Sequence, residues 1–249
     1  MFFFRKKTIV VDAFTSMAAV HEFYPIKPAR NFFPDWWKQM PSHVEQFTPF
    51  GVPIPHATIK RCEGFIDLYK NGFVIPLWSD LNIKTTKDGS YGYVFSASNS
   101  PQISQHPSFE LGDEFKDLIH MKMYSPWILQ EKTGLNFVYK QPFWNQIDLL
   151  GDVFTPPGVI NYKHQITTNV NLLFKKQDKI YNFQQGMPLA HIIPMSENEV
   201  NLKTHLIDVK EFNLIQEKYL HRGSFLNKYK KMKNLHDKIE SKCPFGFGE

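Results

Sequence analysis

The chain has 249 residues, 42% of them hydrophobic and 15% aromatic, enough to bury a sizeable core and too ring-rich for disorder over most of its length. The net charge of +5 is uneven: within residues 218–242, Lys218, Arg222, Lys228, Lys230, Lys231, Lys233, Lys238 and Lys242 face only Asp237 and Glu240, so the rest is close to neutral. Two cysteines, Cys62 and Cys243, exclude a disulfide framework. No stretch approaches the roughly 18 apolar residues of a membrane span.

The start, "MFFFRKKTIVVDAF", has its aromatic cluster before its charges and Asp12 inside its apolar run, the wrong order for a signal peptide. The expectation is a reduced, cytoplasmic protein with no membrane partner. Thr8 to Ala13 predicts a first strand. The segment after it carries prolines at 25, 28, 34, 41, 49, 53 and 55. These leave room only for a helical turn at "PDWWKQM", with Pro34 near its start. Phe32, Phe33, Trp36 and Trp37 predict that residues 1–57 wrap over the body, because linkers seldom carry adjacent tryptophans.

"TIKRCEGFIDLYKNG" places Ile59, Cys62, Phe65, Ile66 and Tyr69 at helical spacing, with Thr58 as cap and Gly72 just past the end. The period then changes to two. "FVIPLWSDLNIKTT" and "YGYVFSAS" flank "KDGS", whose Asp-Gly pair predicts a hairpin. Strands are predicted in "KDLIHMKMY", where Ile119, Met121 and Met123 alternate, and in "LNFVYK". They are predicted also in the apolar run "QIDLLGDVF", in "QITTNVNLLF", in "GMPLAHIIPM" and in "EVNLKTHLI". From Val209 the apolar residues return to helical spacing, and Ser224 is a second cap candidate. The fold class that follows is α+β, mainly β. It is an antiparallel sandwich or barrel-like body over residues 58–208, with an early helix and a basic helical segment over 209–249.

No phosphate-binding glycine loop, nucleophile elbow, C-x-x-C pair or H-E-x-x-H is present. Three weaker signals remain. His43 and Glu45, in "HVE", are spaced like the carboxylate-and-histidine part of a facial Fe(II) site; the competing reading is an exposed loop pair. His120, Tyr124, His164 and His191 are candidates for a polar pocket in the β-body, against the reading of each histidine as a hydrogen-bonded structural group. Lys228, Lys230, Lys231 and Lys233 form a candidate anion or nucleic-acid contact, against a solvated face of a helix packed on the body.

Several blocks resemble an uncharacterised protein family of T4-like marine phages and some bacteria. They are "TIKRCEGFIDLYKNGFVIPLWSD", with "PARNFFPDWWKQMP" upstream and "YSPWILQEKTG" and "GMPLAHIIPM" downstream. In that family the last block commonly carries a glutamine where this chain has His191. The resemblance implies an origin in phage or marine bacteria, with a place in the infected host cell or the virion. It implies no activity. A second likeness, over Gly151 to Ile193, is to the closing half of dUTPase-type β-clip folds. Those enzymes carry a water-positioning Asp and then a stacking Tyr; here residues 154–160 hold no acid, so that likeness implies fold without chemistry. The expected function is a non-enzymatic binding or assembly component, with a protein partner or self-association and no cofactor. The alternative is an infection-stage enzyme with a nucleotide or metal pocket, Fe(II) being the metal. The second alternative is nucleic-acid binding through the basic helix.

Overall fold

The computed structural model describes residues 8–96 and 103–220. In chain order its first strands are β1 (Ile9–Thr15), β2 (Lys27–Pro28), β3 (His43–Phe47), β4 (Pro53–Ala57), β5 (Phe73–Pro76) and β6 (Leu81–Thr85). Then come β7 (Tyr91–Phe95), β8 (Ile103–Gln105), β9 (Leu118–Met123), β10 (Ile128–Glu131), β11 (Asn136–Lys140) and β12 (Val153–Phe154). The last are β13 (Gly158–Asn161), β14 (Val170–Lys175), β15 (Lys179–Phe183), β16 (Pro188–Pro194) and β17 (Val200–Leu206). The α-helices are α1 (Ala18–Phe23), α2 (Asp35–Gln39), α3 (Glu63–Lys70) and α4 (Val209–Leu220).

The strands form open sheets in the orders β10-β1-β17, β13-β11-β16-β5-β2, β12-β14-β9-β8 and β15-β6-β7, beside a separate β3-β4 hairpin. The chain is α+β and mainly β, and among the described residues no sheet closes into a barrel. Pairing is antiparallel except between β1 and β17, which run parallel from Ile9↔Val200 to Thr15↔Leu206. One apolar cluster joins the sheets. Met121, Met123, Leu172 and Phe174 of one sheet meet Leu81, Ile83, Tyr181 and Phe183 of another, and Ile75, Phe137 and Ile192 extend the cluster into the five-stranded sheet. The alternation read in β9 and β14 is real: Ile119, Met121, Met123, Val170, Leu172 and Phe174 are all buried.

Three segments depart from expectation. Residues 43–57 form a hairpin in spite of their prolines. Its hydrogen-bonded pairs fall on the even residues, as Thr48 N to Val52 O (2.9 Å) and Thr58 N to Ser42 O (3.0 Å) show. Pro53 and Pro55 therefore occupy positions whose missing N–H would have pointed outward, where it costs the ladder nothing. The helix after Thr58 starts later than its periodicity suggests. Thr58 Oγ1 accepts from Lys60 N and closes a 3₁₀ turn over Ile59–Arg61, and α3 begins after the extended Cys62. The run "QIDLLGDVF" is mostly 3₁₀ turn, with only β12 extended. Leu149 and Val153 are buried, a turn-like spacing, while Ile147 and Leu150 lie on the surface.

The tryptophans bind the proline-rich segment to α3. Phe33 stacks on Trp37 (4.5 Å) and Tyr69 (4.7 Å), and Trp37 stacks on Phe65 (5.4 Å). Trp36 Nε1 donates to Trp144 O, and Trp37 Nε1 to Ile59 O. Gly72 (φ +78°) then turns the chain into β5 so closely against β16 that a Cβ there would lie 2.1 Å from Ile192 O. Among the described residues no helix is long and apolar enough to cross a membrane.

Candidate metal centre

β8 and β9 pair as Ile103↔Met123, Ser104↔Lys122 and Gln105↔Met121. One step further, His106 N donates to His120 O at 2.9 Å, so the same register sets the two histidines opposite each other. Their rings stack with centroids 4.3 Å apart and planes 17° apart. Both leave the core face, because Met121 and Met123 point inward and His120 alternates with them.

Pro107 ends the ladder, and a 3₁₀ turn over Ser108–Glu110 reverses the chain, with Glu110 N donating to Pro107 O at 3.0 Å. That turn brings the Glu110 carboxylate into hydrogen-bond contact with His106 Nδ1. One ligand atom each from His106, Glu110 and His120 lie within 4.8 Å of one another. This is the one such group of three among the described residues.

The environment of His120 decides what the group is suited for. The residue is 9% exposed, and neither ring nitrogen makes a hydrogen bond of standard geometry, the Asn171 side chain on β14 being the polar group that stands near the ring. Asn171, diagonally across β14 from it, also has a buried Oδ1 with no partner. Leaving a buried polar atom unsatisfied costs about 1–3 kcal/mol. A purely structural histidine would be expected to use at least one of its nitrogens. Burial, helped by the neighbouring His106 and opposed by Asn171 and Glu110, pushes the His120 pKa below its ordinary value. The ring is therefore held neutral, with a free lone pair, which is the state a metal needs.

The centre is open on one side. The His106 and Glu110 side chains are 27% and 42% exposed. A cavity of about 190 Å³ adjoins them, lined by Gln105, Leu118, Lys176 and the Asp88–Gly89 turn as well as both histidines. Two imidazoles and one carboxylate leave coordination positions for an outside ligand, in the manner of catalytic zinc and non-haem iron sites.

The other sequence candidates lie elsewhere. His43 and Glu45 are on the exposed β3, and among the described residues no third His, Cys, Asp or Glu joins them within 4.8 Å. His43 Nε2 is 2.9 Å from the Arg61 guanidinium, whose N–H occupies the lone pair and whose charge repels a cation; its Nδ1 is 3.2 Å from Ser42 Oγ. Tyr124 follows β9, with its hydroxyl 3.2 Å from Ser104 Oγ and Lys122 Nζ over its ring. His164 is in the turn after β13, its N–H donating to Asn161 O. His191 is buried in β16, where its Nε2 donates to Asn71 O at 2.8 Å; burial lowers its pKa against the opposing pull of that carbonyl. Of the pocket candidates only His120 belongs to the centre, and Lys228, Lys230, Lys231 and Lys233 lie outside the described residues. Sequence reasoning alone misses His106 and Glu110. The visible signal is "HPSFE", a His and a Glu four apart across a proline, followed by a histidine on the next strand.

No protein-family model matches the chain, and no curated protein matches it.

Proposed function

We propose that the chain is a metal-dependent enzyme that binds one divalent transition metal through His106, Glu110 and His120 and acts on a small molecule in the adjoining cavity. The observation that carries this reading is the buried His120 ring with both nitrogens unsatisfied against the His106–Glu110 pair. The donor set suits Fe(II) and Zn(II), whose site preferences include two imidazoles and a carboxylate. The metal would supply Lewis-acid or redox chemistry. His106 and His120 would hold it, Glu110 would neutralise part of its charge, and the cavity would bring the substrate to its open side. The blockwise resemblance to the marine phage family supports placing this work in an infected host cell. The test is metal content after reconstitution with Zn(II) or, without oxygen, Fe(II). One equivalent is expected to stay with the protein through desalting, and His120→Ala and Glu110→Ala should each lower retention at least about tenfold. Equal retention by both variants and the parent, or none by any, would overturn the reading.

A second reading, self-association, is favoured by the β3-β4 hairpin. All ten of its strand residues are exposed, among them Val44, Phe47 and Ile54, and Phe50 at its tip is 94% exposed. Pro53 and Pro55 deny strand addition to the outer edge of β4, whereas β3 pairs with no other strand among the described residues. Two copies pairing β3 to β3 about a two-fold axis would make a four-stranded sheet and satisfy the open edge of β3. Light scattering should find a dimer that Glu45→Pro converts to a monomer; a monomeric parent at high concentration would exclude it.

A further inference from the structure

The cavity beside the metal centre has a cationic wall as well as its histidines. Lys176 N donates to Asp117 O at 3.0 Å, which fixes the lysine beside the start of β9. Its stem crosses the turn glycine Gly89, with Cε 3.0 Å from where a Cβ would stand, and its side chain lines the same cavity as His106 and His120. The glycine is thus the residue that makes room for the lysine. Any larger residue would press on the stem.

The charges around Lys176 are already matched with one another. Lys179 and Lys175 pair with Asp152 at 2.6 and 3.8 Å, and Lys87 pairs with Asp178 at 3.6 Å. Asp88, the acid in the cavity wall, is turned to its own loop. It takes hydrogen bonds from Thr86 Oγ1 and from Ser90 N and Oγ, and these hold its carboxyl below the usual carboxylate range. Among the described residues Lys176 has no carboxylate within 4.0 Å, although it is half-buried. A half-buried ammonium without an ion-pair partner, sharing a cavity with the two histidines of the centre, is placed to receive an anion.

We propose that the cavity takes a small molecule bearing a carboxylate or phosphate group, one anionic oxygen reaching the metal and another the Lys176 ammonium. This rests on the metal reading above and assigns the class of ligand that fills the open positions. The metal attracts the anion, and Lys176 selects those with a second anionic oxygen at the far wall. An uncharged molecule of the same size gains at most a hydrogen bond from Lys176, without the attraction between opposite charges. Gln105, at the end of β8, is the neutral polar group in the same wall.

The test uses the full chain loaded with Co(II), whose visible bands report its coordination. Succinate and inorganic phosphate are the two probes, titrated at constant ionic strength, and they separate a carboxylate ligand from a phosphate one. At least one should shift the cobalt bands saturably. Lys176→Met, which keeps the stem over Gly89 and removes the charge, should weaken that probe about tenfold or more and leave cobalt affinity within about threefold. Lys176→Arg should restore most of it. Cobalt uptake with no response to either probe, or with a response equal in the parent and Lys176→Met, would overturn the ligand assignment alone. No cobalt uptake at all would overturn the metal reading and this one with it.

Discussion

Replacing His120 by leucine is expected to stabilise the metal-free protein and to abolish its stabilisation by metal. The two effects have opposite signs because the same two nitrogens cause both. Without metal they are buried donor and acceptor sites with no partner, a cost of about 1–3 kcal/mol for each such group. Leucine has a similar volume and no polar atom, and it would lie beside Leu173, its cross-strand neighbour. A gain of about 1–2 kcal/mol in chelator is the expected result, measured by urea unfolding. With metal at a hundred times its dissociation constant, the parent gains about 2.7 kcal/mol. For a chain of this size that is a rise of roughly 5–11 °C in melting temperature, absent in the variant. A leucine variant that is less stable than the parent in chelator would mean that His120 serves the fold and not a metal.

The second large effect belongs to Gly72. Its φ of +78° already disfavours a side chain, and a Cβ would sit 2.1 Å from Ile192 O, a backbone atom that cannot move without disturbing β16. Gly72→Ala is expected to cost about 4 kcal/mol or more, lowering the melting temperature by roughly 8–16 °C. Gly64 is the internal comparison. It lies in α3 with nothing within 4 Å of where a methyl group would stand, so Gly64→Ala should gain about 0.5–1 kcal/mol. Thermal unfolding of the two variants side by side checks both signs. Equal melting temperatures would contradict the close approach of the α3–β5 turn to β16.

What can be read from the sequence is whatever repeats along the chain. The two-residue period of Ile119, Met121 and Met123, and of Val170, Leu172 and Phe174, marks strands with one buried face, and both strands are present. The Asp88–Gly89 pair does join β6 to β7. β8 cannot be read in this way, since three residues are too short to show a period. The β3-β4 hairpin is hidden for a different reason. Prolines argue against a strand unless their missing N–H points outward, and that depends on the register with the partner strand.

The candidate centre is half legible for the same reason. His120 stands out as a histidine alternating with methionines, but its partner is set by the pairing of β8 with β9. His43 and Glu45 look more like ligands because they are close in sequence, and they share a strand face. In the fold that face meets Arg61. Nearness along the chain identifies the pair that a cation would avoid, whereas the group suited to one is assembled across strands.

The parallel pairing of β1 with β17 sets a schedule for synthesis. Ile9 leaves the ribosome long before its partner Val200, with nearly the whole β-body made in between. At cellular elongation rates β1 waits roughly 10–40 s for its parallel neighbour. Until then β1 has only β10 to pair with, and its other edge is open to foreign strands. Charge within that edge strand, Asp12 at its centre, gives it some protection while it waits, and the same Asp12 later receives His205 of β17 at 2.8 Å. Completion of this sheet is thus necessarily a late event, and a chain halted before residue 200 would be left with β1 unprotected.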